Sequence, residues 1–357
     1  MPQKQPSKKS RSRPAPPKVN GSVSLESSGL VTSYDVATRA GVSQSAVSRC
    51  FMPGSSASKK MRERVMKAAG DLGYMPNAIA RSLITRRSGM VAVIVSNLTN
   101  LYYPEVLSEL TQRLSQRGTR VLLFTLQRES EIDEVLEQVW RYRVDGVIAA
   151  ARLSRDQVQD FERHRVPFVF YNRYFHDYPV NAVCCDQDGG AKLLVDRLYA
   201  ADHRRFAIIG GPPDSVVGIE RVQGAQTRLT ELGVSNTPVV AGDYGYERGA
   251  QALRDLLKCG RFDAIVSAND VTAIGAMDAA RFEFGLKVPD EMSVVGFDGV
   301  GPASWSSYRL TTVRQPVRRM AEAAVSMLVD RIEQAGLPPE KRVFTGELIE
   351  GGSARLK

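Results

Sequence analysis

The side chains with the most to offer chemically near the start of the chain are Gln44, Ser45, Ser48 and Arg49. A Gln amide can give and take a hydrogen bond at once, an Arg guanidinium presents a fork of donors, and a Ser hydroxyl does either job. Those capacities match base edges: Gln pairs bidentately with adenine, Arg with guanine, and Ser reaches a base or a phosphate. A second set of polar residues lies at the ends of apolar runs further along, at Ser96-Asn97, Asn172-Arg173, Asn269-Asp270 and Asp298. Such a set can line a pocket if the runs are strands of one fold.

The elements that would hold the first set are short helices. Thr32 and Ser33 can cap a helix through Asp35 to Ala40, with Val36, Ala37 and Ala40 spaced to face inward. Gly41 supplies a tight turn, Val42 a packing residue, and Ser43 a cap for a second helix, 44–50, in which Val47 points inward and the four polar residues do not. Two helices so joined form a helix-turn-helix, whose second helix faces base edges with its N-terminal part. A third helix, from 59 to about 72, carries Lys59, Lys60, Arg62, Arg64 and Lys67, suited to phosphate contacts or to solubility.

Charge supports a polyanionic partner. The chain holds 48 Lys/Arg against 39 Asp/Glu; of these, residues 1–89 hold 16 against 4, a balance of +12, which leaves 32 against 35, or −3, for residues 90–357. A basic block with little apolar surface fits nucleic acid better than membrane. Residues 1–30, rich in Pro, Ser and Lys/Arg, read as a disordered basic arm. With no leading apolar stretch and no long apolar run, the expected setting is the cytoplasm, near the nucleoid, with no membrane contact. Four cysteines, two of them adjacent at Cys184 and Cys185, stand at no metal-ligand spacing with the three histidines, so no metal or other cofactor is expected.

From Met90 onward, β-branched runs alternate with amphipathic stretches. Strands are expected at 91–96, 120–126, 146–151, 168–172, 206–211, 264–269 and 293–298, and helices at segments such as 131–143, 220–232 and 271–284. Regular alternation of this kind predicts parallel sheets covered on both faces, and the number of units suggests two in succession. Ligands in such folds bind at the carboxyl ends of the strands. Asp270 is expected to cap the helix that begins at Val271 and so to stay out of the pocket.

The run V-T-S-Y-D-V-A-T-R-A-G-V-S-Q-S-A-V-S-R at 31–49, followed by D-L-G-Y-M-P-N-A-I-A-R-S-L at 71–83, resembles the lactose/galactose repressor (LacI/GalR) family of bacterial regulators. The resemblance covers roughly 31–350, carried further by G-G-P at 210–212 through Arg221, S-A-N-D at 267–270, V-G-F-D at 295–298 and L-T-T-V-R-Q-P at 310–316. It implies a small all-α helix-turn-helix head on an α/β body of two doubly wound parallel-sheet lobes, similar to a periplasmic sugar-binding protein. It also implies a homodimer on a palindromic double-stranded DNA operator, governed by a small-molecule effector, a sugar or polyol, between the lobes.

Residue by residue, the resemblance places Thr32, Ser33, Tyr34, Ser43, Gln44, Ser45, Ser48 and Arg49 at the DNA. The stretch after Tyr74 becomes a hinge that folds on DNA: Asn77 as its cap, Ala80 and Arg81 within it, and Leu83 as a minor-groove wedge or else a buried linker residue. Effector contacts fall on Asn172, Arg173, Arg221, Asn269 and Asp298. A donor-only guanidinium and an acceptor-only carboxylate can satisfy vicinal hydroxyls, although Arg221 and Asp298 would equally make a structural pair. Tyr102 and Tyr103 stand where the family commonly has two Phe, as sugar-stacking rings or as core. The expected divisions are 1–30 arm, 31–76 head, 77–89 hinge, 90–350 body and 351–357 tail, with lobe 1 at 90–186 plus 317–341 and lobe 2 at 187–316 plus 342–350.

Two rival classes are weaker. An enzyme built on the α/β body lacks G-x-G-x-x-G after a strand, a phosphate-binding G-x-x-x-x-G-K-S/T, G-x-S-x-G and H-E-x-x-H. A transport binding protein would carry a signal peptide and no basic helical head.

Overall fold

The computed structural model describes residues 31–52, 55–76, 87–96, 98–126 and 129–357. The basic arm expected at 1–30 lies outside them. The chain divides into two compact units, Met1–Arg81 and Ser82–Lys357.

The first unit is a three-helix head of α1 (Ser33–Ala40), α2 (Gln44–Cys50) and α3 (Lys59–Leu72). Thr32, rather than Ser33, caps α1, and Asp35 answers it in a capping box. Gly41, at φ 60°, makes the left-handed turn that a side chain would disfavour. Val36, Ala37, Ala40, Val47, Cys50, Val65, Ala68 and Ala69 form the core, closed at one side by Phe51 packed edge-on to Tyr74. These residues are small, so the helices approach closely and little else of the head is buried.

The second unit holds two six-stranded sheets. In the first, β1 (Met90–Ser96), β2 (Arg120–Leu126), β3 (Gly146–Ala150), β4 (Phe168–Tyr171), β5 (Ala182–Cys185) and β11 (Lys341–Phe344) run in the order β11-β5-β4-β3-β1-β2, all parallel. In the second, β6 (Phe206–Ile209), β7 (Val239–Val240), β8 (Ala264–Ser267), β9 (Ser293–Asp298), β10 (Thr311–Arg314) and β12 (Glu347–Ile349) run β12-β10-β9-β8-β6-β7, with only β12 antiparallel. The central strands are buried on both faces, which is why they read as unbroken apolar runs.

The helices that cover the first lobe are α4 (Tyr102–Gln116), α5 (Ile132–Tyr142), α6 (Arg155–His164) and α11 (Val317–Glu333); those of the second are α7 (Gln187–Ala200), α8 (Val216–Glu231), α9 (Tyr246–Cys259) and α10 (Asp270–Asp278). Most show an apolar stripe, as in α5, which buries Ile132, Val135, Leu136 and Val139 at helical spacing, whereas α10 is buried almost all round, from Thr272 through Met277. The chain crosses between lobes after β5, after β10 and after β11. The last crossing corrects the expected division, because Lys341–Phe344 pairs with β5 and so completes the first sheet, and only the segment from β12 onward lies in the second.

Strands at 120–126 and 293–298 have the expected bounds. Those expected to reach 172, 211 and 269 stop at Tyr171, Ile209 and Ser267 instead. For the first of these, Asn172 has a left-handed φ of 52° that ends the extended backbone, although its amide still donates to the Val183 carbonyl at 2.8 Å. The helix expected over 271–284 is α10 followed by a π-helical turn at Ala279–Glu283.

Candidate functional sites

Helix α2 is held by its apolar side and leaves its polar side outward. Ala46, Val47 and Cys50 are buried, whereas Gln44, Ser45 and Arg49 are exposed and Ser48 is half-buried. Ser43 accepts from the Ala46 amide and bonds Ser45 at 3.1 Å, while the Gln44 amide donates to Ser33 at 3.3 Å. Tyr34 is 70% exposed, and the Gln44–Ser33 hydrogen bond brings the starts of the two helices together. Arg62 is spent differently from the other basic residues of α3. It donates to the Cys50 carbonyl at 2.9 Å and to Ser55 at 3.1 Å, which ties α3 to the end of α2. Asn77, Ala80, Arg81 and Leu83 lie outside the described residues.

In the body, polar residues from both lobes meet in one buried network. Arg221, on the second turn of α8, donates from Nε to Gln187 at 2.7 Å, from Nη2 to Asp298 at 2.9 Å, and from Nη1 to the Ala268 carbonyl. Its plane lies over the Phe297 ring at 3.9 Å. Asp298, at the end of β9 with φ 115°, also accepts from Gln315 at 2.7 Å. Gln315 in turn accepts from Asn172 at 2.7 Å and from the Tyr102 hydroxyl at 3.2 Å, and the Asn172 side-chain Oδ1 accepts from the Cys185 amide at 2.9 Å. Burial raises the Asp298 carboxyl above the ordinary carboxylate range, while Arg221 and Gln315 act to lower it. A guanidinium and a carboxylate removed from water together survive because every strong donor has a partner.

The sequence-selected residues therefore separate. Tyr102, Asn172, Arg221 and Asp298 belong to the network, and Tyr103 and Arg173 line an adjoining cavity of about 160 Å³ with Ser96, Asn100, Arg152, Pro212, Asp214, Ser215, Val216 and Tyr244. The Tyr103 hydroxyl donates to the Ala150 carbonyl at 3.4 Å. Asn269 is 1% exposed and caps α10 through the Thr272 amide, with its own amide on the Tyr244 carbonyl at 3.1 Å. This corrects the expectation for Asp270, which caps nothing. Its buried carboxylate accepts from Thr312 at 2.5 Å and from the Val300 amide at 2.8 Å, and its carboxyl is pushed up to about 8, chiefly by burial and then by the charge of Asp298.

Gln187, Gln315 and Tyr244 were not singled out from sequence, nor were the cavity residues Asn100, Arg152, Asp214 and Ser215. Gln187 and Gln315 are uncharged and follow strand ends, so only their partners reveal them. Tyr244 is held at φ 69° with its ring against Gly211 and Gly218 and its hydroxyl 2.7 Å from Ser215. Its place just before the glycine that begins a helix was the available signal.

Residues 32–77 match the model for bacterial regulatory proteins of the lacI family, and residues 195–354 match a periplasmic binding protein-like domain. The chain is 33% identical over 326 residues to the HTH-type transcriptional regulator CelR of Thermobifida fusca, covering 88% of this chain and 95% of that protein. It belongs to the LacI family of bacterial regulators. With the Escherichia coli ribose operon repressor, this LacI-family chain shares 30% identity over 334 residues, 91% of its own length and all of the relative. A Lac repressor dimer solved with operator and the anti-inducer ONPF superposes with a TM-score of 0.83 at 28% identity, covering 91% of this chain and 99% of that one. A CelR–cellobiose complex matches at 0.69 and 32% identity, covering 90% and 99%. The protein is thus a helix-turn-helix regulator of transcription with a two-lobed, periplasmic-binding-protein-like body. Among the described residues no helix is long and apolar enough to cross a membrane.

Proposed function

We propose that this LacI-family chain represses transcription as a homodimer on a palindromic operator, under the control of a sugar or polyol bound between its lobes. The observation that carries the reading is the pairing of two things in one chain. One is a helix whose polar side is exposed and whose apolar side is fixed; the other is a body in which Arg221, Asp298, Asn172 and Tyr102 from two lobes share one hydrogen-bond network. Two-fold symmetry of the dimer then requires two half-sites.

Gln44, Ser45 and Arg49 read bases; Thr32, Ser33, Tyr34, Ser43 and Ser48 contact the backbone or help to orient the readers. Asn77, Ala80, Arg81 and Leu83 form the DNA-ordered hinge. Effector binding changes the relation of the lobes and biases that hinge, and because coupling is reciprocal, operator DNA alters effector affinity by the same factor. The relatives named above support each part: the Lac repressor was solved as a dimer on operator, and CelR with cellobiose. The role makes it a cytoplasmic, nucleoid-associated protein without catalytic activity.

The test is protection of a symmetric site by the purified chain in footprinting of DNA flanking its own gene. Protection of one half-site only would reject the dimeric reading, and release or tightening on adding a sugar would identify the effector.

A further inference from the structure

Given the reading of the chain as a dimer on a palindromic operator, on which this rests, we infer that Asp145 is a positioning residue for operator recognition. Its carboxylate fixes the point at which the chain arriving from the head joins the body. Asp145 immediately precedes β3, and both of its oxygens are turned on the two residues before β1. Oδ1 accepts from the Ser88 amide at 2.8 Å and from the Ser88 hydroxyl at 3.0 Å, and Oδ2 accepts from the Gly89 amide at 2.8 Å. A return bond runs from the Asp145 amide to the Met90 carbonyl at 2.8 Å. Gly89, at φ 68°, supplies a left-handed bend between Ser88 and β1 that a side chain would disfavour.

Pairing of the sheet does not need this clamp. β1 is held along its length by β2 on one side and β3 on the other, beginning with Met90 opposite Arg120 and Val91 opposite Gly146. The Ser88 and Gly89 amides come before that ladder and would otherwise go to water. A half-buried carboxylate that takes three hydrogen bonds there, each strengthened by its charge, acts on the incoming chain. One residue earlier, Arg87 donates from Nη2 to the Ile332 carbonyl in the last turn of α11 at 3.3 Å. The point of entry is thus tied to two elements of the first lobe.

A fixed entry point matters to operator binding far more than to nonspecific binding. A two-fold operator sets the distance and direction between two heads, so both must be delivered from defined positions on the dimer. Ser88 and Gly89 are already ordered before DNA arrives. Without the clamp their ordering would fall on the binding step, and each residue ordered there lowers affinity by roughly five- to thirtyfold. Nonspecific binding rests on phosphate neutralisation, which tolerates many arrangements of the heads.

The test compares the full-length parent with Asp145→Ala, Asp145→Asn and Val147→Ala, the last a core truncation in β3 that leaves the clamp untouched. Competition gel shifts set the symmetric site footprinted beside the gene against random-sequence DNA of equal length. Asp145→Ala is expected to lose at least about tenfold in affinity for the site, with affinity for random DNA unchanged. Asp145→Asn, which keeps the shape and one acceptor, should lose a smaller part of the same preference. Val147→Ala is expected to melt earlier yet to bind the site as the parent does. Limited trypsin digestion of the free proteins reads the clamp itself: cleavage after Arg87 should be at least about tenfold faster in Asp145→Ala than in the parent or in Val147→Ala. Unchanged site affinity in Asp145→Ala overturns the inference, as does a loss shared by random DNA or matched by Val147→Ala. Cleavage unaltered in Asp145→Ala, or accelerated as much in Val147→Ala, overturns the clamp. If the parent protects no symmetric site, the dimeric reading falls and this inference with it. If the parent protects the site and both Asp145 variants bind it normally, that reading stands and only the role of Asp145 falls.

Discussion

Arg49 stands on the exposed side of a helix whose other side is fixed by Val47 and Cys50, so removing its guanidinium should leave the head folded. As a proposed base reader, Arg49→Ala is expected to cost about 1–3 kcal/mol of specific binding while keeping nonspecific affinity. Gel-shift competition between operator and random DNA checks it, and undiminished discrimination would remove Arg49 from the readers. Asp270 gives a residue-level prediction of another kind. Its folded carboxyl is pushed up to about 8 from an ordinary 3.8, so the native state holds a proton that the unfolded chain releases. The stability linked to that proton is complete below pH 3.8 and is lost progressively as pH rises through about 8. Asp270→Asn mimics the protonated form, so its Tm relative to the parent should rise between pH 5 and pH 8.5; parallel Tm profiles would show that the parent's carboxylate is already ionised in the fold.

At the scale of elements, α9 and α10 show how small residues set spacing. A methyl group on Gly249 would strike the Thr272 carbonyl, and one on Gly275 the Tyr246 carbonyl, so backbone meets backbone between these helices. Gly249→Ala is therefore expected to destabilise the body by about 1–3 kcal/mol through overpacking, read as a lowered midpoint in urea. An unchanged midpoint would mean that the helices separate freely. Elements were legible in the sequence where an apolar run, a cap or a stripe is local: β2 and β9 as apolar runs, and the capped helices of the head. Three strands were not: Ala182–Cys185, Thr311–Arg314 and Lys341–Phe344 carry Cys, Thr, Lys or Arg where the legible four-residue strands Phe168–Tyr171 and Phe206–Ile209 are wholly apolar, and only pairing with their neighbours in the sheets reveals them.

At the scale of the molecule, Arg221 joins stability to the proposed response. Arg221→Ala leaves the Asp298 carboxylate buried without its partner, a change that costs about 3–5 kcal/mol in comparable pairs. The variant should lose the effector's influence on operator release and also melt earlier, while the head continues to bind DNA. Normal ligand affinity by calorimetry would count against Arg221 as part of the site. The amino-acid sequence alone determined the head, because caps, the Gly41 turn and an apolar stripe are local, and it determined the two-lobed plan, because alternation of runs is periodic. Only the tertiary structure decided which polar residues share the buried network and which line the open cavity. It brought Gln187 and Gln315 to Arg221 and Asp298, made Asn269 rather than Asp270 the cap, and put Tyr103 and Arg173 in the wall of one cavity with Tyr244. Those pairings join residues from separate strands and both lobes, and nothing in a linear pattern records where three crossings of the chain will bring them together.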